Sequence, residues 1–181
     1  MVLCFSVSTT VAQEIIVPIE DRKDFEDDVN KTYYYKDVNN ELNKFLGTWR
    51  YEDGNTSFEI TFIKDENRNN GFGGHEDEIK PSAFKFIKNG ITVYDSANYD
   101  DTNYEEEYFN GGFFTYPEDL NILELMYNEP DVSIDEKVGD LKLIYNNLGG
   151  TETLTWGVRF ISNNDGSNPF KMPMLMTLIK Q

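Results

Sequence analysis

His75 is the only histidine of the chain, and any catalytic or metal chemistry centred on it needs partners from elsewhere in the sequence. A zinc site takes three or four Cys, His or carboxylate ligands, and the only cysteine is Cys4. Nucleophilic catalysis needs a serine or cysteine held beside a base, and no such residue stands in a recognisable nucleophile turn. We therefore interpret His75 as a solvated loop residue, and we expect no cofactor.

Oxygen-bearing side chains precede and follow that histidine with a spacing that calcium loops use. Asp65, Asn67, Asn69 and Glu76 occupy the first, third, fifth and twelfth positions of an EF-hand-like loop. The sixth position, where the turn requires glycine, is Asn70. The four residues form a weak calcium candidate.

A second group of acids, Glu105 and Glu107, would share one face of an extended chain with Glu106 opposite, as a glycosidase carboxylate pair requires. The chain, however, has 33 acidic and 16 basic residues and a net charge of −17, so neighbouring acids are expected to be solvated. We expect no enzyme activity. The same charge disfavours nucleic acid and anionic membranes as partners and favours cations or basic proteins.

The first residues resemble the end of an export signal. Residues 2–12 are apolar or small and finish at Ala12 before Gln13, the pattern that a signal peptidase reads. We predict that residues 1–12 are a signal-peptide remnant and that the protein is secreted or periplasmic. A buried first strand is the alternative for this stretch. No other run approaches the roughly 20 apolar residues of a membrane span, so no membrane insertion is expected.

Any site would have to be positioned by strands, because the apolar pattern beyond residue 46 has a period of two. Residues 13–36 are predicted to be an extended, charged arm, and Asp37 to cap a short helix that runs to Phe45. Residues 37–181 are predicted to form one all-β domain, an antiparallel up-and-down barrel of eight or nine strands with that helix closing one end. The predicted strands flank turns at 53–55 and 89–90 and continue at about 106–116, 121–127, 140–146, 152–161 and 172–180. The loops 64–78 and 96–105 are expected at one mouth.

The first barrel strand begins with Gly47-Thr48-Trp49, directly after the helical segment. This combination resembles the first motif of the lipocalins and of the wider calycin group. The resemblance implies a tryptophan at the barrel base beneath a basic side chain from near the C-terminus, for which Arg159 and Lys180 are the candidates. The second lipocalin motif is absent, and only Trp156 follows Trp49, so a biotin site is not expected. The whole chain also resembles uncharacterised secreted proteins of Bacteroidetes, which implies a location and a fold but no activity.

Strand alternation predicts which side chains fill the barrel. The interior set is Trp49, Tyr51, Phe58, Ile60, Phe62, Phe84, Phe86, Leu141, Leu143, Tyr145, Trp156, Met174 and Met176. Because this set is bulky, only a shallow pocket at the mouth is expected. Its predicted lining is Trp156, Tyr94, Tyr108, Tyr127, Met174 and Met176. The leading hypothesis is a non-enzymatic carrier of a small apolar or aromatic ligand; the alternative is a filled barrel that acts as an interaction or surface module.

The last strand is apolar on both faces. Met172, Met174 and Met176 lie on one face, and Leu175 and Ile179 lie on the other. Something is expected to cover the outer face: the 37–46 helix, the 14–19 segment, or a second subunit in a homodimer.

Overall fold

The computed structural model describes residues 14–24, 28, 30–71, 73–98, 109–114, 118–130, 138–160 and 170–181. The predicted signal remnant at 1–12, Tyr108 and the Glu105–Glu107 pair lie outside the described residues. The described residues form eleven strands: β1 Ile15–Pro18, β2 Tyr33–Lys36, β3 Gly47–Asp53, β4 Thr56–Asn69, β5 His75–Lys88, β6 Ile91–Asp95, β7 Phe109–Phe113, β8 Ile122–Asn128, β9 Val138–Leu148, β10 Thr151–Phe160 and β11 Leu175–Lys180. Short 3-10 turns cover Ile19–Asp24, Glu41–Phe45 and Ser96–Asn98.

All eleven strands belong to one sheet, which confirms the all-β prediction. Its order is β1-β2-β5-β4-β3-β11-β10-β9-β8-β7, and β6 also pairs with β5. The first strand of the predicted barrel, β3, is antiparallel to the last, β11, with Lys180 opposite Trp49. Within the described residues no hydrogen-bonded ladder joins β7 to the β5–β6 side of the sheet, so the ladder is open and the predicted barrel is not confirmed.

The sheet is nevertheless strongly curved. Phe58 on β4 and Trp156 on β10 are separated by three strand-to-strand steps, which would span about 14 Å in a flat sheet. Their ring centroids are 5.2 Å apart. The sheet therefore curls around its apolar face, which encloses the main core.

That core confirms the predicted alternation. Ten of the thirteen residues predicted to point inward are buried, and the other three, Tyr51, Tyr145 and Met174, are partly buried against the same cluster. The turn at 89–90 is also confirmed: Asn89 and Gly90 both have positive φ, 53° and 75°, as a tight two-residue hairpin requires.

The prediction of a loop at 64–78 is wrong. β4 runs on to Asn69 and β5 starts at His75, so only a five-residue turn remains between them. The strand ends are charged and show no apolar alternation. They are held instead by cross-strand ion pairs, Lys80 to Asp65 at 3.2 Å and Arg68 to Glu78 at 2.6 Å.

The predicted charged arm at 13–36 is also different in the structure. It contributes β1 and β2, which run parallel to each other and to β5. Val17, Tyr33 and Tyr35 form a small second core. Four-residue strands carry too few alternating positions to stand out beside the charged run at 20–32.

The predicted helix from Asp37 to Phe45 is reduced to the single 3-10 turn Glu41–Phe45. Asn40 has left-handed backbone angles, φ 60° and ψ 33°, which a right-handed helix cannot include. Asp37 still caps the turn, since its Oδ1 accepts the Glu41 N–H at 2.7 Å.

Candidate functional site

Trp49 is fully buried in the main core. Its indole N–H donates to the Phe45 carbonyl at 2.8 Å, and the Lys180 ammonium lies 5.2 Å from the ring centroid. Gly47 has φ +100°, and a Cβ there would lie 3.6 Å from Lys180 Cε. The Gly-x-Trp motif thus places a glycine and a buried indole beneath a lysine from the last strand.

Arg159, the other basic candidate, lies away from Trp49. Its position on β10 points outward, because Trp156 and Val158 on either side of Gly157 alternate inward. Its side chain is 84% exposed and pairs with Asp140 at 2.5 Å. Arg159 therefore belongs to the outer face of the sheet.

The residues predicted to line a ligand pocket lie in the packed core. Trp156 and Tyr127 are both fully buried, and their ring centroids are 5.6 Å apart. Tyr94 stacks on Phe86 at 6.2 Å. Met176 is buried and Met174 partly buried, while Tyr108 lies outside the described residues.

The end of the core near Tyr127 is closed by residues 170–172. Glu129 is 2% exposed; its Oε1 accepts the backbone N–H groups of Lys171 at 3.2 Å and Met172 at 3.3 Å. Its Oε2 accepts the Tyr127 hydroxyl at 3.3 Å. Phe170 packs on Tyr127 with ring centroids 5.6 Å apart. The sequence analysis missed Glu129, because an acid at a strand end gives no sign that it will accept distant backbone groups.

Three consecutive acids of β5, Glu76, Asp77 and Glu78, are buried. Asp77 accepts the Tyr34 hydroxyl at 2.5 Å and the Asp37 N–H at 2.9 Å, so it ties the N-terminal strands to β5. Burial, and then the bond to Asp77, raise the pKa of Tyr34. Burial also raises the pKa of Glu78, against the opposing effect of its Arg68 partner.

The structure does not bring the calcium candidate together. Asp65 lies opposite Glu78 and pairs with Lys80, and Asn69 lies opposite His75 at the far end of the ladder. Glu76 pairs with Arg22 at 2.5 Å. In the part of the chain that the structure describes, no group of three His, Cys, Asp or Glu side chains is placed to hold a metal ion.

His75 lies in a strand and not in a loop, and its side chain is 36% exposed. It opens β5 and its Nδ1 lies 2.6 Å from Glu14 Oε1, which ties it to the residue before β1. The imidazole therefore links the start of β5 to the residue that precedes β1.

The outer surface formed by the described residues includes two open cavities. One, of about 560 Å³, is lined by Arg50, Glu52, Thr177, Ile179 and Gln181 at the β3–β11 pair. The other, of about 240 Å³, lies between β4, β5 and β6 beside the Lys85–Asp95 ion pair, which is 2.8 Å long. Both lie on the face of the sheet opposite to the core.

Comparison with known proteins gives a family and no activity. The chain matches, over residues 1–181, a family described as a family of unknown function, DUF6705, and it belongs to that family. No curated protein and no solved structure matches it. Among the described residues, no helix has the length and apolar character needed to cross a membrane.

Proposed function

We propose that this protein is an exported, non-enzymatic interaction module, a calycin-like barrel filled by its own side chains that contacts partners through its outer surface. The observation that carries the proposal is the ring cluster formed by Phe58, Trp156 and Tyr127. These rings come from β4, β10 and β8, and each neighbouring pair lies within 5.6 Å.

This packing favours the filled barrel over the small-ligand carrier. A barrel of about eight strands is just wide enough to be filled by side chains or to hold one small ligand. A guest would have to displace Trp156 and Met176, both of which are buried among other apolar side chains. Separating these side chains would remove their dispersion contacts and expose apolar surface. A small ligand would have to restore both to bind in the interior.

Closure of the sheet into a barrel is part of the proposal. Its support is the pairing of β3 with β11 and the contact between β7 and β5. Hydrogen exchange at residues 109–113 tests it. If the sheet is closed, the alternate N–H groups of this segment that point away from β8 are hydrogen-bonded and exchange slowly. Exchange of those N–H groups as fast as solvent-exposed amides would contradict closure.

Export and the lack of enzyme activity rest on the sequence. The apolar stretch at 2–12 predicts that the mature chain begins near Gln13. Mass spectrometry of protein from the culture medium or periplasm tests this; an intact chain from Met1 found there would contradict it.

The filled interior is tested by titration with haem, a fatty acid and a fluorescent apolar dye, read by tryptophan fluorescence. We expect no saturable binding tighter than about 100 μM, a free energy of roughly −5.5 kcal/mol. Saturable binding below that concentration with one ligand per chain would favour the carrier instead. A variant with Leu175→Asp serves as a control, because it changes the outer face and leaves the interior intact.

A further inference from the structure

Strands β8 to β11 present an uncharged band on their outer face. Strand register aligns Ile122 with Ile144, Ile144 with Thr155, and Thr155 with Thr177. On β11, Leu175 and Ile179 flank Thr177 and are 72% and 50% exposed. Ile122 and Ile144 are half-buried, so Leu175 and Ile179 supply the exposed apolar surface of the band, and an exposed apolar patch can mark an interaction site.

The described part of the chain does not cover this band. The 14–19 segment lies at β1, which occupies the far edge of the sheet beside β2. The 3-10 turn at Glu41–Phe45 faces the interior, where Leu42 and Phe45 join the main core. Two of the three covers expected from the sequence are therefore placed elsewhere.

The charges around the band occur in pairs. Arg50 contacts Glu52 at 2.5 Å, Lys142 contacts Glu124 at 3.0 Å, and Arg159 contacts Asp140 at 2.5 Å. Two copies of an acidic protein repel each other over most of their surface. They repel least where acids are absent or paired with bases, which is the situation on this face.

The band is also complementary to itself. Gly157 on β10 lies directly opposite Leu175 on β11. A Cβ at Gly157 would have a single near neighbour, the Lys142 carbonyl at 3.8 Å, so the surface has a notch there. The exposed Leu175 side chain thus lies next to the notch at Gly157. In a two-fold contact, the same two features of each copy can face each other, with each leucine opposite the partner's notch.

We infer that a second copy of this chain docks face to face on β10 and β11, with Leu175 of each copy seated at Gly157 of the other. This rests on the proposed function and names the partner of the outer face. The band measures about 14 Å across four strands and about 14 Å along residues 175–179 of β11. That is less than the ~800 Å² per partner of a standard interface. The paired charges therefore lie within the contact, and we expect dimerisation in the micromolar range.

Sedimentation velocity of the full chain between about 1 and 200 μM tests the inference, because a dimer of micromolar affinity dissociates within that range. We expect a concentration-dependent dimer. Gly157→Thr should weaken it at least tenfold without lowering the melting temperature, because the added side chain fills the notch and favours a strand. Leu175→Asp should weaken it as much. Ile91→Asp is the matched control, since Ile91 is 70% exposed on β6, and it should leave the dimer unchanged.

A chain that stays monomeric throughout this range overturns the inference. So does a dimer that Gly157→Thr and Leu175→Asp leave intact, or one that Ile91→Asp weakens equally. If the chain is monomeric and also fails to bind the apolar probes, the dimer inference is wrong and the filled-barrel proposal is unaffected. A monomer that binds a probe removes both.

Discussion

At the residue scale, the contacts of Trp49 connect the first and last strands of the predicted barrel domain. Lys180 lies over the indole ring and pairs with Glu152 at 3.1 Å, and Glu152 accepts the Tyr145 hydroxyl at 2.6 Å. Tyr145 in turn packs edge-on against Trp49 at 6.4 Å. Four side chains from β3, β9, β10 and β11 thus form one contact network.

Replacing Lys180 by Met should lower the free energy of unfolding by about 1–2 kcal/mol, because it removes a partly desolvated cation–π contact and the ion pair to Glu152. Arg159→Met is the matched control and should change it by less than about 0.5 kcal/mol, since Arg159 is exposed. Urea unfolding measures both. Equal effects of the two substitutions would show that the lysine over Trp49 contributes nothing specific.

Two glutamates should have opposite effects on the pH dependence of stability. The Tyr145 hydroxyl, and then Lys180, lower the pKa of Glu152 below its usual 4.5. The stabilisation that ionised Glu152 gives the folded state is therefore present above pH 4.5 and is lost as pH falls through the lowered pKa. Burial raises the pKa of Glu78 above its usual 4.5. The stabilisation that protonated Glu78 gives the folded state is therefore present below pH 4.5 and is lost as pH rises through the raised pKa.

Urea unfolding of Glu152→Gln and Glu78→Gln at several pH values tests this pair. The free energy of unfolding of Glu152→Gln should be lower than that of the unaltered chain, and this difference should shrink as pH falls below 4.5. The stability of Glu78→Gln relative to the unaltered chain should increase as pH rises above 4.5. Parallel pH profiles for both variants and the unaltered chain would rule out the assigned shifts.

At the element scale, Glu129 fixes the segment that closes one end of the core. Glu129→Ala leaves the buried N–H group of Met172 and the part-buried N–H group of Lys171 without their acceptor, which costs about 1–3 kcal/mol. Hydrogen exchange at these two amides should accelerate, while the β3 amides near Trp49 exchange as before. Unchanged exchange at 171 and 172 would mean that other contacts hold the segment.

The sequence predicts the elements whose apolar alternation is long, and it fails where polar contacts decide. The hairpin turn at 89–90 is predicted where the structure has it, and the inward side chains of β3, β9 and β10 follow from a period of two. The charged ends of β4 and β5 depend on pairs such as Arg68 with Glu78, which form only once the strands are aligned. Asp77 shows the same limit, because its partners Tyr34 and Asp37 lie about 40 residues earlier in the chain.

The candidate site was harder to predict than the core. Alternation correctly predicts Trp156 in the interior, whereas Tyr94 and Tyr127, predicted to line a pocket at the mouth, are buried in the core. Alternation carries no information on whether an interior is filled or open. Here neighbouring rings from distant strands occupy that space. The outer band was foreseen only on β11, because its other members come from strands whose order is set by tertiary pairing.

At the scale of the whole molecule, the net charge of −17 opposes the compact state. Salt screens the repulsion between charges that lie farther apart than a Debye length, which is about 30 Å at 0.01 M salt and about 3 Å at 1 M. Raising NaCl between these limits should therefore raise the melting temperature, even though surface ion pairs such as Arg159 with Asp140 weaken. A melting temperature that falls steadily with salt would indicate that ion pairs outweigh the repulsion.

Whether the interior is filled by the chain itself is decided most directly by native mass spectrometry. The pure protein is incubated with an extract of the cells that produce it, desalted, and sprayed under gentle conditions. A filled barrel predicts no small-molecule adduct on the chain or on its dimer, with Met176→Leu giving the same pattern. A small-molecule adduct at one per chain, lost or weakened in Met176→Leu, would contradict the filled barrel and make the protein a carrier.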